Sequence, residues 1–269
     1  MPSISNSIAK DQINAWRKAL PHEINNSFHL VVNGRVERIL AFEFPNEDLR
    51  SLVPGNASTS NDDASDAPQL VLFYGLGPSE QNDGRDTFKI FVNTVKDSKI
   101  IDSYHELKPL TSSLLKKYVK NHALQQTAGN APAHLDVNAE TVTSELIPPE
   151  LEHFLSYAWK SCDTSKLLDQ TEALYNGKRL RIERSVYDGQ VYHLLGELYS
   201  KNDDEVHTLV FLGLHPVIPR DSRIYPFGPI FQSYVPSSAS VNTEEDGTIH
   251  PVNFELSRPC PPCDDPPPE

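Results

Sequence analysis

The sequence predicts an α+β fold of two related lobes of antiparallel sheet with packed helices, followed by an extended proline-rich C-terminal arm. Two observations predict it. Segments with apolar residues at helical spacing alternate with Asn-Gly or Asp-Gly pairs that separate apolar runs, which is a strong hairpin signal. The second half of the chain then repeats the order of the first. We expect lobes at 1–126 and 148–220, a linker at 127–147, and an arm with an acidic tail at 221–269.

The first lobe opens with a predicted helix at 9–20, which contains Trp16 and is ended by Pro21. Asn33-Gly34 predicts a hairpin turn, because both residues tolerate a positive φ. The remaining elements predicted here are a short helix with Leu49, strands at 69–75 and 87–95, and a helix at 111–125 with Lys116, Lys117 and Lys120 on its outer face.

The second lobe opens with a helix that follows Pro148-Pro149 and contains Trp159. Asn176-Gly177 and Asp188-Gly189 are further hairpin signals. They predict three consecutive antiparallel strands, at 179–187, 190–200 and 207–215.

The two halves align as a tandem duplication. Residues 69–95 lie over 190–216 without a gap at an offset of 121, with five identities in 27 positions. Both segments have the order strand, small residue, polar loop and apolar strand, and a tryptophan-bearing helix and an Asn-Gly turn precede each. We interpret this pattern as an internal repeat.

Composition disfavours several classes of partner. The 269 residues include 24 Lys and Arg against 37 Asp and Glu, so the net charge is −13. This charge repels phosphate backbones and anionic lipid, and we expect neither nucleic acid nor membrane as a partner. The start of the chain lacks the basic and apolar regions of a signal peptide, and only three cysteines are present, which favours the cytoplasm.

The motifs of several catalytic and cofactor-binding classes are missing from the sequence. It contains no G-x-x-x-x-G-K-[ST] phosphate loop, no H-E-x-x-H and no G-x-S-x-G. Gly75-Leu76-Gly77 begins like a dinucleotide fingerprint, but Glu80 stands where the third glycine is needed. His207 and His215 would share a strand face about 26 Å apart, too far for one metal. We expect no catalytic residue, metal or cofactor.

Cysteines give two further observations. Asp163 would raise the pKa of Cys162, which we expect to be a small residue at a helix end rather than a nucleophile. Cys260 and Cys263 have the C-x-x-C spacing of redox and zinc sites, but the prolines around them prevent a helix and no second pair completes a zinc site. An inter-chain disulfide, a metal shared between subunits, or a stiff acidic tail all remain open.

The segment 223–236 concentrates aromatic and apolar residues in a stretch that contains too many prolines for a helix or a central strand. Such side chains must still be hidden from water, either against the parent domain or in a groove of a neighbouring subunit. We expect a partner-binding role for Tyr225, Phe227, Ile230, Phe231 and Tyr234.

The apolar strands at 70–76 and 208–215, the tryptophan helix and the tail at 259–263 resemble a group of uncharacterised bacterial proteins of the Bacteroidetes lineage. The resemblance covers about a third of the chain. Members of that group often end in a Pro-Cys-Pro-x-x-Cys tail, and this chain has one residue fewer between its cysteines. The resemblance implies a bacterial origin and no activity.

The function expected from these features is non-enzymatic protein–protein contact, including homo-oligomer formation through the C-terminal arm. The alternative is a hydrolase or transferase with a cleft between the lobes. Its dispersed acids and bases would be Glu183, His193, Glu197 and His207.

Overall fold

The structure, a computed structural model, describes residues 4–53, 68–79, 84–96, 99–100, 103–122, 124, 149–163, 171–175, 178–187, 191–192, 195–196, 198–199, 206–214, 227–236, 249–254 and 258–260. These residues form antiparallel sheets with helices packed against them, which confirms the α+β class.

Five helices are defined in the described residues: α1 Asn6–Lys18, α2 Pro21–Ser27, α3 Asn46–Leu52, α4 Ser112–Asn121 and α5 Pro149–Ser161. The strands are β1 His29–Val32, β2 Arg35–Phe44, β3 Gln69–Pro78, β4 Asp86–Lys96, β5 Lys99–Ile100, β6 His105–Glu106, β7 Lys108–Thr111, β8 Glu172–Tyr175, β9 Lys178–Arg181, β10 Arg184–Tyr187, β11 His207–Leu214, β12 Phe227–Pro236, β13 Ile249–Phe254 and β14 Arg258–Cys260.

Both large sheets contain strands from both halves of the chain. Sheet 1 has the order β1-β2-β11-β12-β13, with β7 also paired to β2. Sheet 2 has the order β14-β10-β3-β4-β5, with β6 also paired to β4. Because β11 pairs with β2 and β10 with β3, the expected lobes do not each have a separate sheet. The expected linker at 127–147 lies outside the described residues.

The structure has the same order of elements in both halves of the described chain, but not at an offset of 121. Trp16 and Trp159 are 143 positions apart, and so are the hairpins β1–β2 and β8–β9. The offset of 121 lays β3 over residues 190–199, of which the described ones are helical. Strand β10 is the equivalent of the last four residues of β2, 143 positions earlier. Since β3 pairs with β10 in the same register as β11 pairs with β2, β11 is the structural counterpart of β3. Thr208 faces Phe44, and Leu70 correspondingly faces Tyr187.

The two repeats hold each other through a reciprocal pair of tryptophans. The indole Nε1 of Trp16 donates to the carbonyl of Ile182 at 2.8 Å. The indole Nε1 of Trp159 donates to the carbonyl of Ile39 at 2.9 Å. Since Ile39 and Ile182 are also 143 positions apart, the same bond is made in both directions and the molecule has a pseudo-twofold axis.

Two equivalent arginines reinforce the tryptophans. Arg38 donates to the carbonyl of Trp159 at 2.7 Å, and its guanidinium lies 5.9 Å from the indole centroid. Arg181 donates to the carbonyl of Trp16 at 3.1 Å and lies 5.4 Å from that ring. Each arginine thus binds the last turn of the other repeat's helix, where the helix dipole favours a cation.

Aromatic rings fill the space around this axis. The ring centroids of the equivalent Phe88 and Phe227 are 6.0 Å apart. Each also contacts the tryptophan of its own repeat, at 5.0 Å from Trp16 and at 5.4 Å from Trp159. All four side chains are buried in one core cluster, so the packing joins the two repeats into a single core.

Helix α1 shows how the sequence places these groups. The Ser5 side chain accepts from the backbone N–H of Ile8 and caps its start. Ala9, Ile13 and Trp16, at spacings of three and four, are its buried side, which packs on β3. The Gln12 side chain of α1 lies close to β3 at Gly77, where a Cβ would come within 2.3 Å of it.

Two expectations are corrected by the structure. The described residues from 191 to 199 are helical, not a strand, and they bury Tyr192, Leu195, Leu198 and Tyr199 in the core. The strand β12 lies inside sheet 1 between β11 and β13, although the prolines argued against a central strand. In the described residues, β13 pairs with positions 231–236 of β12, and Pro229 lies opposite Leu212 of β11.

Candidate functional site

The duplication separates structural residues from candidate functional ones. A group present in both repeats is explained by the fold, whereas a group present in one repeat needs another explanation. Helix α4 follows β7 in the first repeat. In the second repeat the described residues end with β14, the counterpart of β7, and the sequence continues with Pro261-Pro262, which disfavour a helix. Strands β7 and β14 correspond by their pairing. Pro109 faces Phe42 of β2, and Pro259 faces Ser185 of β10, which is the position equivalent to Phe42.

A carboxylate from β2 fixes the start of α4. Glu37 accepts hydrogen bonds from the backbone N–H and from the hydroxyl of Ser113. The hydrogen bond from the Ser113 side chain lowers the pKa of Glu37 below its ordinary value. The anion at the helix N-terminus therefore orients α4 relative to sheet 1.

The inner side of α4 is apolar. Leu115 and Tyr118 are buried in a cluster on the outer face of sheet 1, together with Ala41, Leu110, Leu209 and Tyr234. This cluster explains why the helix is stable although it has only ten residues.

The outer side of α4 is basic. Lys116, Lys117 and Lys120 are exposed, and the helix contains no acidic residue. Lys108, just before the helix, is 47% exposed, and its Nζ lies 3.6 Å from the carboxylate of Glu43. A cationic face on a chain of net charge −13 contrasts with the charge of the whole molecule.

Two imidazoles and a phenol meet at the carboxyl end of α4. The rings of His122 and His207 are 4.2 Å apart, centroid to centroid. The Tyr118 hydroxyl lies 3.3 Å from Nδ1 of His207. In the other repeat Gln69 corresponds to His207, so this cluster is also specific to one repeat.

Burial decides the protonation of this cluster. Burial, and then the neighbouring His122, lower the pKa of His207 from 6.5 to about 4. Burial raises the pKa of Tyr118 far above its ordinary value. At neutral pH the phenol and the imidazole are therefore both uncharged.

A second group specific to one repeat lies between α3 and β6. His105 Nδ1 is 3.0 Å from Asp48 Oδ1, and both side chains are buried. His105 Nε2 has no hydrogen-bond partner among the described residues. Val92 of β4 and Phe231 of β12 are equivalent positions in the two repeats. His105 faces Val92 and Phe254 faces Phe231, so Phe254 corresponds to His105. A carboxylate–imidazole pair can act as a general base.

The aromatic residues expected to bind a partner lie elsewhere. Phe227, Ile230, Phe231 and Tyr234 are at most 1% exposed, in the core of this chain. Tyr225 lies outside the described residues. These four side chains are packed within the chain as part of sheet 1, which agrees with the alternative that the segment is hidden against the parent domain. Their partner-binding role stays a prediction.

The cysteine expectations have mixed outcomes. Cys162 is half-buried, and its Sγ lies 3.2 Å from Nη1 of Arg38. Burial raises the pKa of Cys162 in spite of the arginine. Cys260 ends β14, and Cys263 lies outside the described residues, so the proposals for this pair remain open.

The alternative catalytic residues are not brought together by the described structure. Glu183 forms an ion pair with Arg17 of α1, with its Oε2 2.7 Å from Nη2. His207 belongs to the cluster at α4, and His193 and Glu197 lie outside the described residues. The sequence analysis placed the lysines on the outer face of α4 but predicted no site there. It did not predict the contacts of His122, Tyr118 and the Asp48–His105 pair, which are made between residues distant in sequence.

Comparison with known proteins adds no relative: no family model, no curated protein and no solved structure matches the chain. Among the residues that the structure describes, no three His, Cys, Asp or Glu side chains gather to hold a metal ion. None of the helices in this part of the chain is long and apolar enough to span a membrane.

Proposed function

We propose that the protein acts in the cytoplasm by binding other proteins, including copies of itself, and that the exposed face of α4 is its contact surface. The observation that carries the proposal is the cationic face of Lys116, Lys117 and Lys120 on an acidic chain. This face lies on an element that the fold's duplication does not require.

Charge complementarity selects the partner. A second copy of the chain, with its net charge of −13, offers acidic surface to the lysines of α4. Opposite charges steer association and make it sensitive to salt. The tight fixation of α4, by Glu37 and by its buried apolar side, gives the lysines defined positions and so lowers the entropy lost on binding.

The test is charge reversal on α4. The variant Lys116→Glu, Lys117→Glu, Lys120→Glu should lower self-association at least tenfold in sedimentation velocity at low salt. The matched control reverses three exposed lysines elsewhere, Lys10→Glu, Lys18→Glu and Lys99→Glu, and changes the net charge equally.

Self-association that is retained in the α4 variant, or lost equally in both variants, contradicts the proposed surface. A wild-type protein that stays monomeric at tens of micromolar in low salt contradicts self-association itself. Removing residues 217–269 is no substitute test, because it would delete β12, β13 and β14 from the two sheets.

The second candidate function is a hydrolase or transferase, and the buried Asp48–His105 pair is the observation that favours it. The unpartnered Nε2 is itself buried, so it would take a proton from a substrate hydroxyl only after a local opening of the structure at α3 and β6. Hydrolysis of p-nitrophenyl acetate above the rate of a His105→Gln variant would support this function, and equal rates would oppose it.

A further inference from the structure

The contacts between the two repeats are made twice, once in each direction. The N-terminal repeat provides Trp16 and Arg38, and the C-terminal repeat provides Trp159 and Arg181. The strand pairings β2–β11 and β3–β10 also cross between the repeats. Each repeat therefore has a surface that is completed only by the other repeat.

We propose that this surface also accepts the complementary repeat of a second copy of the chain, so that two chains form a closed dimer by exchanging repeats. The exchanged dimer contains the same bonds and the same core as the monomer, counted twice. It goes beyond the proposed function and does not rest on it, because it uses the internal surface of the repeats rather than α4.

The length of the connecting chain permits the exchange. Between Leu124 and Pro149, the last and first described residues on either side, lie 24 residues. Fully extended, they would span about 80 Å. Such a connection can join repeats within one unit or across two units. Connection within one chain favours the monomer at low concentration, and high concentration favours the dimer.

A difference between the two repeats determines which repeats pair in the dimer. The hydroxyl of Tyr74 lies 2.6 Å from the hydroxyl of Ser185, and both are buried. The residue equivalent to Ser185 is Phe42, which has no hydroxyl. An N-terminal repeat that paired with another N-terminal repeat would bury the Tyr74 hydroxyl against a phenyl ring. Each N-terminal repeat therefore pairs with a C-terminal repeat, and two chains together provide one C-terminal repeat for each N-terminal repeat.

Refolding of the full chain tests the proposal. Refolding from urea at about 200 µM should yield a dimer that persists on dilution and in 1 M NaCl, since its release requires the repeats to separate. Refolding at about 1 µM should yield monomer. A salt-sensitive dimer that dissociates within seconds on dilution is the α4 contact, so the failures of the two proposals are distinguishable. Monomer after refolding at about 200 µM overturns the proposal.

Discussion

At the scale of the residue, the molecule depends on a few buried polar contacts that are repeated about a pseudo-twofold axis. Trp16 and Trp159 have the same role, each donating to a backbone carbonyl of the other repeat. The sequence revealed these two residues as markers of a repeat, but not that they reach across it. Local periodicity contains no information on which distant carbonyl an indole will find.

Replacing either tryptophan by phenylalanine should destabilise the protein by a similar amount. Each change removes one indole–carbonyl bond, leaves a buried carbonyl without its donor and opens a small void, which together cost about 2–4 kcal/mol. Urea denaturation of Trp16→Phe and Trp159→Phe measures the two values. A large loss in one variant beside no loss in the other would contradict the reciprocal arrangement.

Protonation of His207 should destabilise the folded state in mild acid. Its pKa is about 4 in the folded protein and about 6.5 when unfolded, so the unfolded state binds more protons between these values. The contribution of His207 to the free energy of unfolding is fully present above pH 6.5 and is lost as the pH falls towards 4. Because His207 is only partly buried, the effect is roughly 1–2 kcal/mol after solvent screening.

The variant His207→Gln, which places the residue of the other repeat at this position, is the control for that measurement. The urea midpoint of this variant should change less between pH 4 and pH 6.5 than the midpoint of the wild type. An unchanged pH profile would show that other groups cause the acid sensitivity.

At the scale of the element, equivalent strands have equivalent close contacts with different neighbours. Gly75 on β3 and Gly213 on β11 correspond in the repeat, and both lie against a side chain of the next strand. A Cβ at Gly75 would lie 2.5 Å from the ring of Phe91, and one at Gly213 would lie 2.7 Å from Cδ1 of Ile230. A phenyl ring packed in the core yields less readily than a terminal methyl group.

We therefore expect Gly75→Ala to cost about 1–3 kcal/mol and Gly213→Ala less. Gly77→Ala is the control, because the three atoms nearest to its added methyl all belong to the end of the Gln12 side chain. Thermal unfolding of the three variants gives the order. If Gly213→Ala were the most destabilised, the comparison of the two contacts would be wrong.

Elements with a strong local signal could be predicted from the sequence. The hairpin at Asn33-Gly34 is present with φ of 51° and 76°, and α1, β3, β4 and β11 lie close to their expected positions. The strand predicted at 190–200 was wrong, because the apolar residues of this segment suit a buried helix as well as a strand. At β12 the aromatic content correctly indicates burial, whereas the prolines predict against the central strand that the segment forms.

At the scale of the whole molecule, the halves of the chain interlock and do not divide into separate sheets. Sequence order indicated a duplication, but pairing between repeats depends on tertiary contacts that no local pattern records. The candidate site could be predicted only in part, for the same reason. The lysines of α4 are local in sequence, whereas His122 meets His207, 85 positions away, only because α4 lies on sheet 1.

The central claim is that the two repeats share one core and unfold together. Each single-tryptophan variant leaves one indole, in one repeat, as a fluorescent reporter. In urea, the fluorescence transition of Trp16→Phe and that of Trp159→Phe should each coincide with the loss of secondary structure measured by circular dichroism on the same variant. A tryptophan whose emission changes at a clearly lower urea concentration than the circular dichroism would mean that the repeats unfold independently, which would contradict the claim.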